Sequence, residues 1–211
     1  MSQLGKPEAS GVVAATAMFV EVLVVGIGAL LGVFGCLAAI AGYANMQRAA
    51  PILGSTPASG VALAFAYALG IVFDRAADHL LTLPRRRLRR RYFPTDVAYG
   101  AARRVILDSP HLVAMSDYAR SRMRICRGWL LDSLLLLLAV SLVIWRFPVQ
   151  NRPLLFVAVV MVGGVSAAGF YMAWRSITVT GYKKLAQQAS DAAVSLPNQV
   201  PSHEDDVAAN T

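Results

Sequence analysis

The chain has 211 residues, 56% of them hydrophobic and 15% charged, with a formal net charge of +8. Soluble domains carry about one quarter charged residues, so this is the composition of a membrane protein. Four apolar runs leave only a 44-residue polar stretch, 84–127, and a C-terminal tail. Neither is large enough to build a good core alone, which argues against a separate soluble catalytic domain.

Residues 1–16 hold Lys6 and Glu8 as their charged side chains. The apolar run that follows, 18–43, is longer than the 7–15 residues of a signal-peptide core and reads as a first membrane helix over 17–43. Gly28, Gly35 and Gly42 recur every seven positions, with Gly32 and Ala39 interleaved at the same period. A 3.5-residue repeat keeps one face toward a partner helix, and small residues there let two backbones approach. The partner is another helix of the same chain, with helix two or four expected, or a second subunit. Glu21 lies on the same face. It is interfacial if the helix starts late, and an intramembrane carboxylate if it starts near Val12.

Residues 44–57 are expected to form an external loop, and 58–83 a second span with its polar end. The run 58–73 alternates small and large residues in a strand-like way. Open sheet edges are not tolerated in lipid, so helix is the better reading. Its end carries Asp74, Arg75, Asp78 and His79. Asp74 and Asp78 share one face, Arg75 and His79 the next. With Asp132 at similar depth in the third span, these residues form a candidate interfacial polar cluster. It could hold a cation, relay protons, or be neutralised by nearby arginines.

The stretch 84–127 carries twelve arginines against three aspartates, a net of +9. By the positive-inside rule it faces the cytoplasm. Arg85, Arg86, Arg87, Arg89, Arg90 and Arg91 crowd its start. Arg120, Arg124 and Arg127 share a face with Asp117 further on. These nine arginines are the candidate sites for an anionic partner. Lipid headgroups, a nucleotide-like ligand, an acidic protein and nucleic acid all satisfy the charge. Asp108-Ser109-Pro110 reads as a helix start with Ser109 as cap. With no strong breaker before Phe147-Pro148, the helix runs about 37 residues, or about 55 Å. Its outer part, 110–127, has an apolar stripe of Leu112, Met115, Ala119, Met123 and Cys126. That stripe needs a partner: segment 97–107, another subunit, or the membrane surface. Gly128 is expected as a flex point where the helix enters the bilayer.

The third span covers 128–146, bracketed by Trp129 and Trp145 about 24 Å apart, as two interfacial belts would be. A short external turn, 147–152, leads to a fourth span, 153–175. The remainder, 176–211, reads as a largely disordered cytoplasmic tail whose Glu204-Asp205-Asp206 could fold back on the arginines. Both termini are then cytoplasmic. Cys36 and Cys126 fall at different depths and do not suggest a disulfide.

The expected fold is all-α: an integral membrane bundle of four transmembrane helices with a cytoplasmic Arg-rich loop and helix extension. No P-loop, dinucleotide fingerprint, H-E-x-x-H or G-x-S-x-G is present, and the histidines and aspartates lack a metal-ligand spacing. No catalytic residue, cofactor or metal is therefore expected. An enzyme built on Asp74, Asp78, His79 and His111 is a third, weaker reading. The leading expectation is a non-enzymatic multi-pass inner-membrane protein whose basic loop binds an anionic partner and couples it to the helices. The alternative is an oligomeric pore or membrane-perturbing effector with Asp74, Asp78 and Asp132 at its mouth. A homo-oligomer fits either reading.

Overall fold

The computed structural model describes residues 6–107 and 110–195. Within them the chain is all-helical: α1 (Lys6–Ala41), α2 (Tyr43–Leu53), α3 (Thr56–Leu80), α4 (Thr82–Tyr92), α5 (Asp96–Leu107), α6 (Pro110–Arg146) and α7 (Arg152–Ser195). Four segments are long and apolar enough to cross a membrane: Ala15–Ala41, Thr56–Leu80, Met115–Arg146 and Arg152–Asp191. The molecule is a four-span membrane bundle.

α1, α3 and α6 pack against one another, and α7 lies along α6 without substantial contact to α1 or α3. Most buried positions in the spans are small, with Val25, Ile144 and Trp174 among the larger exceptions. Ala29, Ala38, Ala39, Ala66, Ala77, Ala139 and Ala167 are all shielded, while Leu31, Leu63, Leu138, Val162 and Met172 face outward. Lipid is as apolar as leucine, so large side chains gain little by turning inward. Close backbone approach and polar contacts must hold the helices together.

α1 and α6 run parallel and meet residue by residue. A methyl group on Gly28, Gly32 or Gly35 would stand 2.6, 2.5 or 3.0 Å from Asp132 Oδ2, Leu135 Cγ or Ala139 Cβ. Gly128 of α6 faces Val25 just as closely. Arg146 Nε donates to the Ala39 carbonyl at 3.3 Å. The glycine seam therefore packs within the chain, but on the third span rather than on the second or fourth. Gly42 is not part of it. It has φ +83°, makes no close contact, and ends α1. Only glycine enters that left-handed region at little cost. At Gly128, expected as a flex point, α6 passes through unbroken, and the missing side chain makes room for Val25.

A second close crossing lies between α1 and α3. A Cβ on Gly26 would overlap the Ala66 carbonyl, and one on Gly70 would overlap the Val22 carbonyl. Neither glycine belongs to the seven-residue repeat.

Three expected loops are helical. Most of 44–57 forms α2, an eleven-residue helix between Gly42 and Gly54. The stretch 84–107 folds into α4 and α5, with Thr95 Oγ1 capping α5 by accepting from the Ala98 N–H at 3.2 Å. The tail is helical as far as Ser195, because α7 continues well past the fourth apolar run. Ser109 and the 204–206 acidic cluster lie outside the described residues, as does the side chain of His111. Pro110 opens α6, which spans 37 residues to Arg146.

α4, α5 and the far half of α7 close a second core of Phe93, Ala102 and Leu185, packed by Tyr92, Tyr99, Tyr182, Ala186 and Ala189. The Phe93 ring stands 5.4 Å from Tyr99 and 6.5 Å from Tyr182, edge to face in both cases. The 84–127 stretch cannot make this core alone. It borrows Tyr182 and Leu185 from α7. α6 packs against both α5 and α7, and Thr178 of α7 reaches the Met123 sulfur at 3.4 Å, while Met115 and Tyr118 in the outer part of α6 stay exposed.

Candidate functional site

The charged residues concentrate where α3, α4 and α6 meet, at the arginine-bearing end of the bundle. Asp74 and Asp78 lie one turn apart on α3, so they share a face, and Arg127 of α6 lies across from them. Arg127 Nη2 is 2.7 Å from Asp74 Oδ1, and its Nη1 is 2.5 Å from Asp78 Oδ1. Its Nε also donates to Asp74 at 3.1 Å. The planar guanidinium supplies several fixed donors, which is why one arginine can hold two carboxylates. Asp78 takes a second cation, Arg85 of α4, at 3.1 Å. That aspartate therefore ties the basic helix to the spans.

The six arginines of α4 divide by face. Arg85 and Arg89 lie on the same side of the helix as Leu88 and Tyr92, Arg89 half-buried and Arg85 exposed but ion-paired to Asp78. Arg89 pairs with Asp96 at 2.7 Å and lies 5.0 Å over the Tyr99 ring. Leu88 is buried. Arg86, Arg87, Arg90 and Arg91 are exposed and make no ion pair or hydrogen bond among the described residues. Positions i, i+1, i+4 and i+5 fall on one side of a helix, so these four guanidiniums form one outward cationic face. Exposed Leu83 lies on the same side.

The remaining arginine candidates have separate environments. Arg120 is paired within its own helix to Asp117 at 3.0 Å. Arg124 lines a narrow crevice between α1, α3 and α6 together with Glu21, Val22, Val25, Gly70, Asp74 and Ile125. Glu21 accepts a hydrogen bond from the Ser121 hydroxyl across the α1–α6 contact.

The expected polar cluster separates into three parts. Asp74 and Asp78 are joined by Arg127. Arg75 and His79 are exposed on the adjacent face of α3. Asp132 is buried elsewhere, in the α1–α6 seam against Gly28, with 0% exposure and no hydrogen-bond partner at either oxygen among the described residues. Among the described residues no three His, Cys, Asp or Glu side chains converge as a metal site. Cys36 and Cys126 are unbridged.

Sequence reasoning misses the two-faced arrangement of α4. The signal is present in the spacing of Leu88, Tyr92 and Phe93, but the arginine run around them has no amphipathic contrast to read. No protein-family model matches the chain, and no curated protein or solved structure does.

Proposed function

We propose that this is a non-enzymatic multi-pass membrane protein of inner-membrane type whose outward α4 face binds anionic phosphate groups at the bilayer surface. The supporting observation is the division of α4. Two of its arginines are tied to carboxylates, while Arg86, Arg87, Arg90 and Arg91 stand together and uncommitted. The positive-inside rule puts this end, and with it both termini, in the cytoplasm. There the membrane surface is anionic and attracts each nearby cation by about 1 kcal/mol. Lipid headgroups are favoured over nucleotide or nucleic acid because α4 follows the end of α3 directly, with hydrogen bonds from Leu81 to Ala77 and from Arg85 to Leu81 carrying the ladder across the join. The helix therefore starts at the membrane edge. Arg85, shared with Asp78, would couple headgroup binding to the α3–α6 contact.

A pore gated by a carboxylate ring is less well supported, because Arg127 and Arg85 together neutralise Asp74 and Asp78.

The test uses the full-length protein in mixed bilayers of phosphatidylcholine and labelled phosphatidylglycerol. Energy transfer from the native tryptophans should report enrichment of the anionic lipid, declining as salt rises. Random mixing around the wild-type protein would end this reading.

A further inference from the structure

Ser121, Ile125, Gly128, Asp132, Leu135 and Ala139 lie on one stripe of α6, spaced four and three residues apart in turn. Glu21, Val25, Gly28, Gly32 and Gly35 follow the same spacing on α1. The pairs meet in order: Glu21 with Ser121, Val25 with Gly128, Gly28 with Asp132, Gly32 with Leu135 and Gly35 with Ala139. This is the seam of a coiled coil, with one carboxyl group at a core position. A leucine or alanine would serve packing there. An aspartate without a partner opposes it, because an ionised carboxylate in an apolar site is costly.

We infer that Asp132 is a proton-binding site, reached from the arginine-bearing end through the crevice between α1, α3 and α6. The crevice has Glu21, Asp74 and Arg124 on its lining and Val25 beside them. Val25 contacts Gly128, one turn before Asp132 on the same stripe. Glu21 and Ser121 stand two to three turns nearer the basic end and mark the side from which a proton arrives. Asp132 takes up one proton and becomes a neutral carboxylic acid. It loses the proton by the same route, and no other bond changes.

The surrounding charges leave Asp132 to the proton. On α6, Arg127 is five residues away and points about 140° around the helix from it. Arg127 is also committed to Asp74 and Asp78 of α3. Arg124 and Cys126 lie nearer the basic end of α6, as does Glu21 on α1. Around Gly28, from Val24 to Gly32, α1 has no titratable residue. On α7, residues 162–170 have none either. On α3, Tyr67 is exposed.

This inference is independent of headgroup binding, since it uses none of the outward arginines. The experiment is pH-difference infrared spectroscopy of the full-length protein in neutral-lipid nanodiscs. A carboxylic acid without a hydrogen-bond partner has a C=O stretch above that of solvated acids. The expected result is one such band that rises and falls reversibly with pH, shifts on transfer to D2O, and is lost in Asp132→Asn. If Asp132→Asn does not fold, Asp132→Glu should move the band instead of removing it. Glu21→Gln should slow the D2O shift several-fold while leaving the band. A band constant at every pH, or absent at every pH, overturns the inference and leaves Asp132 as a register-setting residue only. A band abolished by added sodium at fixed pH also overturns it, in favour of a metal-cation site.

Discussion

The two cores of this molecule are built by opposite rules. The α1–α3–α6 contact inside the membrane is made mostly of glycine and alanine, with Val25 among its few larger buried side chains, and most of its large hydrophobic side chains point outward. The α4–α5–α7 core outside it is made of Phe93, Leu185 and three tyrosines turned toward one another. The solvent explains the contrast. Water drives large apolar groups together, so the outer core collects aromatics. Lipid offers no such drive, so the inner core depends on backbone proximity. The outer core can therefore be small and still hold α4 so that one face carries ion pairs and the other is free.

Substitutions can break or sharpen this contrast. The largest effect is expected from Gly70→Val, whose side chain would overlap the Val22 carbonyl and force the α1 and α3 backbones apart. Overpacking against backbone should cost about 3 kcal/mol or more, read as a lower denaturation midpoint in detergent. Wild-type stability there would show that the close crossing carries little of the inner core. Next comes Phe93→Ala, which should have a local effect. About 3 kcal/mol of outer-core stability should be lost, seen as faster hydrogen exchange in α4, α5 and residues 182–189, with the spans unchanged. Exchange that also rises through α1 and α6 would contradict two separable cores.

Arg127→Met should have a smaller effect, since it strands Asp74 and Asp78 only in part. With Asp78 partly exposed and still facing Arg85, the loss should be about 2 kcal/mol. Adding Asp74→Asn and Asp78→Asn should restore most of it. An unrepaired triple variant would mean that Arg127 acts through packing rather than charge. Least of all, replacing Arg86, Arg87, Arg90 and Arg91 together by Gln should move stability by no more than about 0.5 kcal/mol. The same variant should lose anionic-lipid enrichment.

The inner core is half legible in the amino-acid pattern. The seven-residue repeat of Gly28 and Gly35 marks the α1 side of the seam by spacing alone. Its α6 side is Ser121, Ile125, Gly128, Asp132, Leu135 and Ala139, a mixed set hidden by the leucine run 134–138. The repeat also wrongly enrols Gly42, because period does not separate a packing glycine from a helix-ending one. Gly26 and Gly70 escape notice because their partners are carbonyl groups, which leave no trace in composition. The outer core is hardly legible. Tyr99 and Tyr182 are 83 residues apart, and nothing in either segment names the other. Charge dominates the 84–127 stretch, so the inward positions of α4 read as loop. In the polar cluster, spacing places Asp74 and Asp78 together, but only the crossing of α3 and α6 selects Arg127 over Arg75.

The division of α4 into one structural and one binding face is the central claim. The most direct measurement is anionic-lipid enrichment around two full-length variants in the same mixed bilayers, read by energy transfer from tryptophan. Each variant loses two charges, one carrying Gln at 86 and 90, the other Gln at 85 and 89. Loss of enrichment in the first, with at least partial retention in the second alongside reduced stability, is the predicted result. Equal loss in both would mean that net charge alone attracts the lipid, and enrichment unchanged in the first would contradict the proposed binding face.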